Sequence, residues 1–260
     1  MSQNERKVLV CEDTLEGIYS GIYRTYELHC DHENTSLAVA GQYEPEFFVE
    51  YIDVLPDKEW AEKVHRTLLR EFGSQNTEWI VYALISGQPD KADAVYHTVE
   101  EGLRRKLGRR ILNHLANPYV MRVMELSRNT DNEFMHLRGF LRFRELENGV
   151  LYAKMQPHNN VMHLLMEHFC DRFPAENFII HDTDRGIMAV HPKLGDWYYA
   201  DILDGINEKV FEHYSEDEIM YAEWFRSFCR NLAIKERKNL GLQMQMLPLR
   251  FRPNMTEFML

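Results

Sequence analysis

What this chain has little of narrows it first. Its four cysteines, Cys11, Cys30, Cys170 and Cys229, are scattered and form no CxxC pair. That argues against a disulfide framework and for reduced thiols in a cytoplasmic protein. The longest apolar run, residues 79–85, falls far short of the roughly 20 residues a membrane helix needs. The opening MSQNERKVLVCED has no long apolar core and no small-residue cleavage site, so neither a signal peptide nor a membrane is expected. GxxxxGK[ST], GxGxxG and GxSxG are all absent, which removes the usual phosphate loops and the hydrolase elbow. Without C-x3-C-x2-C the chain cannot itself hold a radical S-adenosylmethionine cluster. His191-Pro192 runs into Lys193, which is unlike a glycosylase loop.

What is present is ordinary in bulk and uneven in charge. The 260 residues are 45% hydrophobic and 27% charged, the balance of a globular protein. The net charge of −11 is unevenly spread, with 8 basic and 19 acidic side chains in residues 1–100 and 5 against 16 in residues 145–224. Residues 101–144 carry 10 basic and 4 acidic, and residues 225–260 carry 7 and 2. Two basic islands thus stand in an acidic chain. Either they neutralise the acidic segments internally or they face an anionic partner.

Periodicity sets the organisation. VLVC at 8–11 reads as a short strand, and residues 14–29 have helical spacing through Leu15, Ile18, Ile22 and Tyr26. The polar CDHENTS follows, then an extended segment at 47–54. Helices are expected at 58–72, closed by Gly73, at 77–85, closed by Gly87, and from Pro89 towards Leu107. Asn117-Pro118 opens another. Near Gly139 the pattern turns to strands: GFLRFREL, ENGV and LYAKMQP predict a two-residue hairpin at Asn148-Gly149. Asn159 or Asn160 should cap a helix through Val161, Leu165 and Phe169. FIIHD and GIMAV form a second strand pair, and WYYADIL reads as another strand. Ser215-x-x-Glu218 is a capping box for a long helix through Ile219, Phe225 and Phe228. The fold class is α+β. Residues 1–135 form a mainly helical region. Residues 136–260 form a region with an antiparallel sheet packed with helices, and a long last helix.

Several clusters can carry chemistry. FIIHDTDRGIMAV packs His181, Asp182, Asp184 and Arg185 between two apolar runs. One reading is the polar tip of a hairpin, with Gly186 supplying the left-handed residue. The other is a catalytic cluster of His181, Asp182 and Arg185. His181 and Asp182 are adjacent in a strand and point to opposite faces, so partners would have to come from elsewhere. Strand alternation places Arg142 and Arg144 on the more apolar face with Phe140 and Leu146, where they must be paired or bind an anion. Asp182 and Asp184 are natural partners; a phosphate backbone is the alternative. His158, His163 and His168 are spaced five apart, which splays them on a helix, and HExxH is absent, so no metal is assigned. His163 and Glu167 lie at i, i+4, a surface pair. At the C-terminal end Lys235, Arg237, Lys238, Gln243, Gln245, Arg250 and Arg252 make a polar and basic strip.

Taken together, three stretches resemble one family. GFLRFRELENGVLYAKMQPHNNVMHLLMEHFCDRFPAENFIIHDTDRG, AIKERKNLGLQMQMLPLRF and CEDTLEGIYSGIYRTYE resemble the bacterial "probable DNA metabolism protein" family. The matching positions are Arg138, Gly139, Phe140, Arg142, Phe143, Arg144, Glu145, His181, Asp182, Arg185, Gly186, Arg237, Asn239, Gln243 and Arg250. The chain departs from the family at Glu12-Asp13, where Asp-Gly is usual, and after Arg250-Phe251, where a tryptophan is usual. The resemblance implies an accessory protein beside a DNA-repair radical S-adenosylmethionine protein, in a family sometimes joined to a uracil-DNA-glycosylase-like domain. It brings no catalytic residues with it.

The expectation is therefore an accessory protein of DNA repair or modification with no cofactor of its own. DNA would meet Arg138, Arg142, Arg144, Arg237, Asn239, Gln243 and Arg250, and a radical S-adenosylmethionine partner would do the chemistry. Two alternatives stand beside it: an enzyme acting on damaged or modified DNA with His181 as acid–base group, and a protein-interaction module without DNA contact.

Overall fold

The computed structural model describes residues 6–200, 208–234 and 237–258. It divides into two compact units, Met1–Asn132 and Glu133–Leu260.

In the first unit, β1 (Arg6–Cys11) lies between β2 (Thr35–Val39) and β3 (Val49–Val54), both parallel to it. Val8 to Cys11 are all buried, as a central parallel strand covered by helices requires. The helix α1 (Leu15–Glu27) starts where the Thr14 side chain accepts the Gly17 N–H at 2.9 Å. After β3, Asp57 does the same for α2 (Lys58–Phe72), accepting the Trp60 N–H at 2.9 Å. Gly73, at φ 83°, ends α2 in a conformation side chains avoid. Next come α3 (Ser74–Leu84) and α4 (Lys91–Arg104). The strands β1 and β3 fall where extended segments are expected. β2 is not anticipated, because it begins inside the polar CDHENTS stretch and is held by its register with β1. Among the described residues no helix is long and apolar enough to cross a membrane.

The helix α5 (Pro118–Phe140) opens at Asn117, whose side chain accepts the Tyr119 N–H at 2.9 Å. It runs two residues further than the strand reading of GFLRFREL allows. Leu126, Thr130, Glu133, Leu137 and Leu141 are buried at spacings of three and four, so the helical period outlasts Gly139, which faces open space. The strand left over is β4 (Arg144–Glu145). The alternation that put Phe140, Arg142 and Arg144 on one strand face therefore does not exist.

In the second unit the sheet order is β4, β5 (Leu151–Met155), β6 (Phe178–Asp182), β7 (Ile187–His191), β8 (Tyr198–Ala200). The α+β class holds, but the sheet is mixed: β5 and β6 are parallel, with α6 (Met162–Arg172) between them in the chain. That crossover is what a parallel neighbour demands. The hairpin sits at Asn148-Gly149 as expected, with three loop residues instead of two. Leu146 N–H bonds Val150 O, and Gly149, at φ 77°, bonds Leu146 O. Asn159 does not cap α6, whose first turn lacks a side-chain cap. The last helices are α7 (Glu216–Leu232) and α8 (Leu240–Met246). Ser215 caps α7 by accepting the Glu218 N–H at 3.1 Å, but the Glu218 carboxylate does not close the box; it goes to Arg144. Residues 201–203 of the WYYADIL strand and Lys235 lie outside the described residues.

One packing constraint in the first unit is testable. A Cβ on Gly21 of α1 would overlap the buried Cys11 sulfur of β1 and stand 3.1 Å from Leu37 Cδ2. Helix propensity alone predicts that Gly21→Ala gains about 1 kcal/mol. Overpacking predicts a net loss of about 1–3 kcal/mol, read as a lower urea midpoint. An unchanged midpoint would mean that the sulfur steps aside.

Candidate nucleic-acid interface

The arginines expected to meet phosphate are mostly occupied by carboxylates. Arg142 donates to Glu257 through Nη2 at 2.7 Å and Nε at 3.3 Å, and to the Gly139 carbonyl at 2.8 Å. Arg144 pairs with Glu218 at 3.0 Å and lies 3.4 Å from the centre of the Tyr214 ring. Arg250 pairs at 2.9 Å with Glu133, which is 1% exposed. Glu133 also accepts the His158 N–H at 3.0 Å, the Asn159 N–H at 2.7 Å and the Asn159 side-chain amide at 2.7 Å. Asp182 and Asp184, the expected partners of Arg142 and Arg144, are not their partners. The reason is positional: residues 139–142 close a helix instead of lying beside β6.

The HDTDRG cluster is a clamp. Asp182, 1% exposed, accepts the Asp184 and Arg185 N–H groups at 3.2 Å and the Arg185 guanidinium at 2.9 Å. Arg185 then reaches the carbonyls of Pro157 and His158 at 2.8 and 2.6 Å. Gly186 takes φ 65°. His181 is buried at 4% exposure, its Nδ1 2.8 Å from the Tyr152 hydroxyl. It does not face Asp182 or Arg185. The His163 and Glu167 surface pair is present at 3.8 Å.

The remaining expected residues are dispersed. Arg138 is exposed on α5, over the Phe134 ring at 5.5 Å. Its charge and that of Arg172 both act on His168 of α6, whose pKa is lowered first by burial and then by Arg138. Arg237 and Gln243 are exposed. Asn239 spends its side chain as the cap of α8, accepting the Leu242 N–H at 3.0 Å. Among the described residues no three histidine, cysteine or acidic side chains converge into a metal site.

One further feature involves none of the residues expected to meet DNA. A cleft of about 770 Å³ is lined by Trp224, Arg226 and Arg230 of α7 with Glu257 and Phe258. Arg226 and Arg230 form no ion pair among the described residues; each bonds only a carbonyl of its own helix. On the other side of α7, with Trp224 at its edge, Tyr221, Phe225, Phe228 and Leu232 recur at helical spacing, and the five are 41–62% exposed. The long helix expected through Ile219, Phe225 and Phe228 is present, and Ala222 is its buried residue. The available signal was the pair of arginines four apart among aromatics.

A family model described as a domain of unknown function, DUF4130, matches residues 89–257. The chain belongs to the DUF4130 family. No curated protein matches it. The DUF4130 match takes in Glu133, the HDTDRG clamp and α7 with all of its cleft but Phe258, and it stops short of β1–β3 and α1–α3.

Two outcomes follow. Glu133→Ala strands the Asn159 amide groups and unpairs Arg250, and should cost about 3 kcal/mol or more in denaturant unfolding. A loss below about 1 kcal/mol would show that water replaces the carboxylate. Arg138→Gln should raise the His168 pKa in an NMR titration of its imidazole. An unmoved titration would separate the two side chains.

Proposed function

We propose that this DUF4130 protein is an accessory of DNA repair or modification that binds single-stranded DNA along α7. The observation that carries the reading is one cleft that brings together two arginines in no ion pair among the described residues and the rings of Trp224 and Phe258. Single-stranded nucleic acid is held by that combination: cations track the backbone while π-faces take the bases. Arg226 and Arg230 stand one helical turn apart, a suitable pair for neighbouring phosphates. Trp224 and Phe258 offer the stacking surfaces, and Glu257, held by Arg142, offers acceptors for base amino groups. Arg142 thereby keeps a place in the interface as a positioning residue. The resemblance to the DNA metabolism family supplies the setting, in which a radical S-adenosylmethionine partner does the chemistry. The acid–base alternative finds less support, because His181 is buried beside the rings of Tyr152 and Phe211 and cannot reach a substrate while they cover it.

The test is fluorescence anisotropy with a labelled oligonucleotide across a salt series. Arg226→Ala/Arg230→Ala should weaken binding at least tenfold and flatten the salt slope by about 0.7 per lost phosphate contact. Trp224→Ala should cost about 1–3 kcal/mol, and oligonucleotide should quench the tryptophan emission of the wild type. Equal affinity in the arginine variant would remove DNA from this face.

A second reading rests on the outward stripe of Phe225, Phe228 and Leu232. A large exposed apolar face marks a protein interface, and the radical S-adenosylmethionine protein of the resemblance is its natural occupant. Phe228→Asp/Leu232→Asp should then abolish co-elution of the two proteins while leaving oligonucleotide affinity within twofold. Retained co-elution would sink this reading alone.

A further inference from the structure

The first unit has an open sheet edge, outside the DUF4130 match and independent of the reading above. Its strands run in the order β2, β1, β3, so β2 and β3 are both edges. The fold treats the two differently. α4 packs along β2, and Asp93 of that helix accepts the Leu37 N–H at 3.1 Å. A side chain thus takes the place of a neighbouring strand. β3 has no such guard: among the described residues, no hydrogen bond outside its ladder with β1 reaches the backbone of Val49–Val54. Alternate residues of an edge strand turn their N–H and C=O groups away from the sheet, a template for another strand. Proteins ordinarily blunt such an edge with lysine, proline, a bulge or a cover. The VEYIDV of β3 holds neither lysine nor proline.

Apolar side chains bracket this edge. Phe47 and Phe48, immediately before β3, are 92% and 98% exposed, and Leu55, immediately after it, is 81% exposed. Single exposed apolar residues are commonplace, but two bare phenylalanines in succession beside an unpaired strand make a patch. The backbone is bent at the same place. Phe48 sits at φ 60°, a left-handed conformation that bulky side chains avoid. The charge left over around the patch is negative. Arg6 and Lys7 hold Glu46 and Glu50 at 2.6 and 3.2 Å, whereas Glu44 and Asp53 are exposed and in no ion pair among the described residues.

We propose that the β3 edge docks an extended segment of a partner protein in which basic side chains alternate with apolar ones. The segment adds a fourth strand, and its main chain fills the open hydrogen-bonding row of β3. Its apolar side chains cover Phe47, Phe48 and Leu55, and its lysines or arginines answer Glu44 and Asp53. A second copy of this chain is the poorer occupant. Two β3 strands overlapped antiparallel along their whole length set Glu50 opposite Asp53, and like charges directly opposite are destabilising.

The experiment is fluorescence anisotropy of the full chain with a labelled synthetic peptide, Lys-Val-Lys-Val-Thr-Val-Lys-Val, with hydrogen exchange to locate it. The peptide should bind at least tenfold more tightly than its glutamate-for-lysine counterpart. It should exceed by as much a version with proline at alternate positions, which lacks the ladder N–H groups. Exchange should slow at residues 47–54 on binding. Asp53→Lys should weaken the basic peptide and strengthen the acidic one. Phe48→Gly should lose at least tenfold in affinity while its thermal midpoint without peptide stays level or rises, because glycine adopts the left-handed conformation freely. A falling midpoint with unchanged affinity would make Phe48 a residue of the fold alone and overturn the proposal. So would no binding at millimolar concentration, equal affinity for the proline-bearing peptide, or protection away from β3. Self-association of the chain that Phe47→Ser/Phe48→Ser abolishes would overturn it as well, by giving the edge to a second copy.

Discussion

The second unit depends on one buried carboxylate. Glu133 accepts three hydrogen bonds from His158 and Asn159 and an ion pair from Arg250, so it joins α5, the turn before α6 and the C-terminal segment at a single point. A carboxylate taken out of water is tolerable only when its lone pairs are filled in this way. The turn it grips is the same one Arg185 grips through the Pro157 and His158 carbonyls. The ends of β5 and β6 and the start of α6 are therefore set by two polar anchors acting on one stretch of backbone.

The same device recurs across the unit. Arg142 reaches Glu257, 115 residues away, and Arg144 reaches Glu218, 74 residues away. Both glutamates are largely shielded, at 15% and 17% exposure. Each pair fastens the short β4 region to a late part of the chain, where few backbone bonds would otherwise hold it. Arginine suits this work because its fork spans two acceptors and never gives up its charge. The side chains that dominate the family-like motif are thus occupied mainly in closing the fold. Among the described residues, Arg138 of α5 and Arg226 and Arg230 of α7 are cations without a carboxylate partner.

Function is then a question of what α7 is for. A helix whose aromatic stripe faces outward has not been shaped by its own core. Glu218 and Ala222 hold it to the body of the unit, and the rings of Tyr221, Trp224 and Phe228 are left in solvent. An exposed stripe of this kind is what a docking surface looks like. In the proposed reading Arg226 and Arg230 select an anionic partner for the cleft on the other side of the helix.

Local patterns in the sequence determined a good part of this protein. The helices at 58–72 and near 91–104, the opening at Asn117-Pro118, the Asn-Gly hairpin and the left-handed Gly186 all follow from rules spanning a few residues, and all appear. The α+β class follows from their order. Tertiary structure decided the rest, for identifiable reasons. The strand β2 exists through its pairing with β1, α5 outruns Gly139 because its buried face continues to Leu141, and β6 lies parallel to β5 because α6 intervenes. The partners of Arg142, Arg144 and Arg250 are glutamates remote in sequence, which no local spacing can identify. Whether an amphipathic stripe such as that of α7 turns inward or outward is set by what the remaining chain leaves uncovered, so only the folded molecule reveals it.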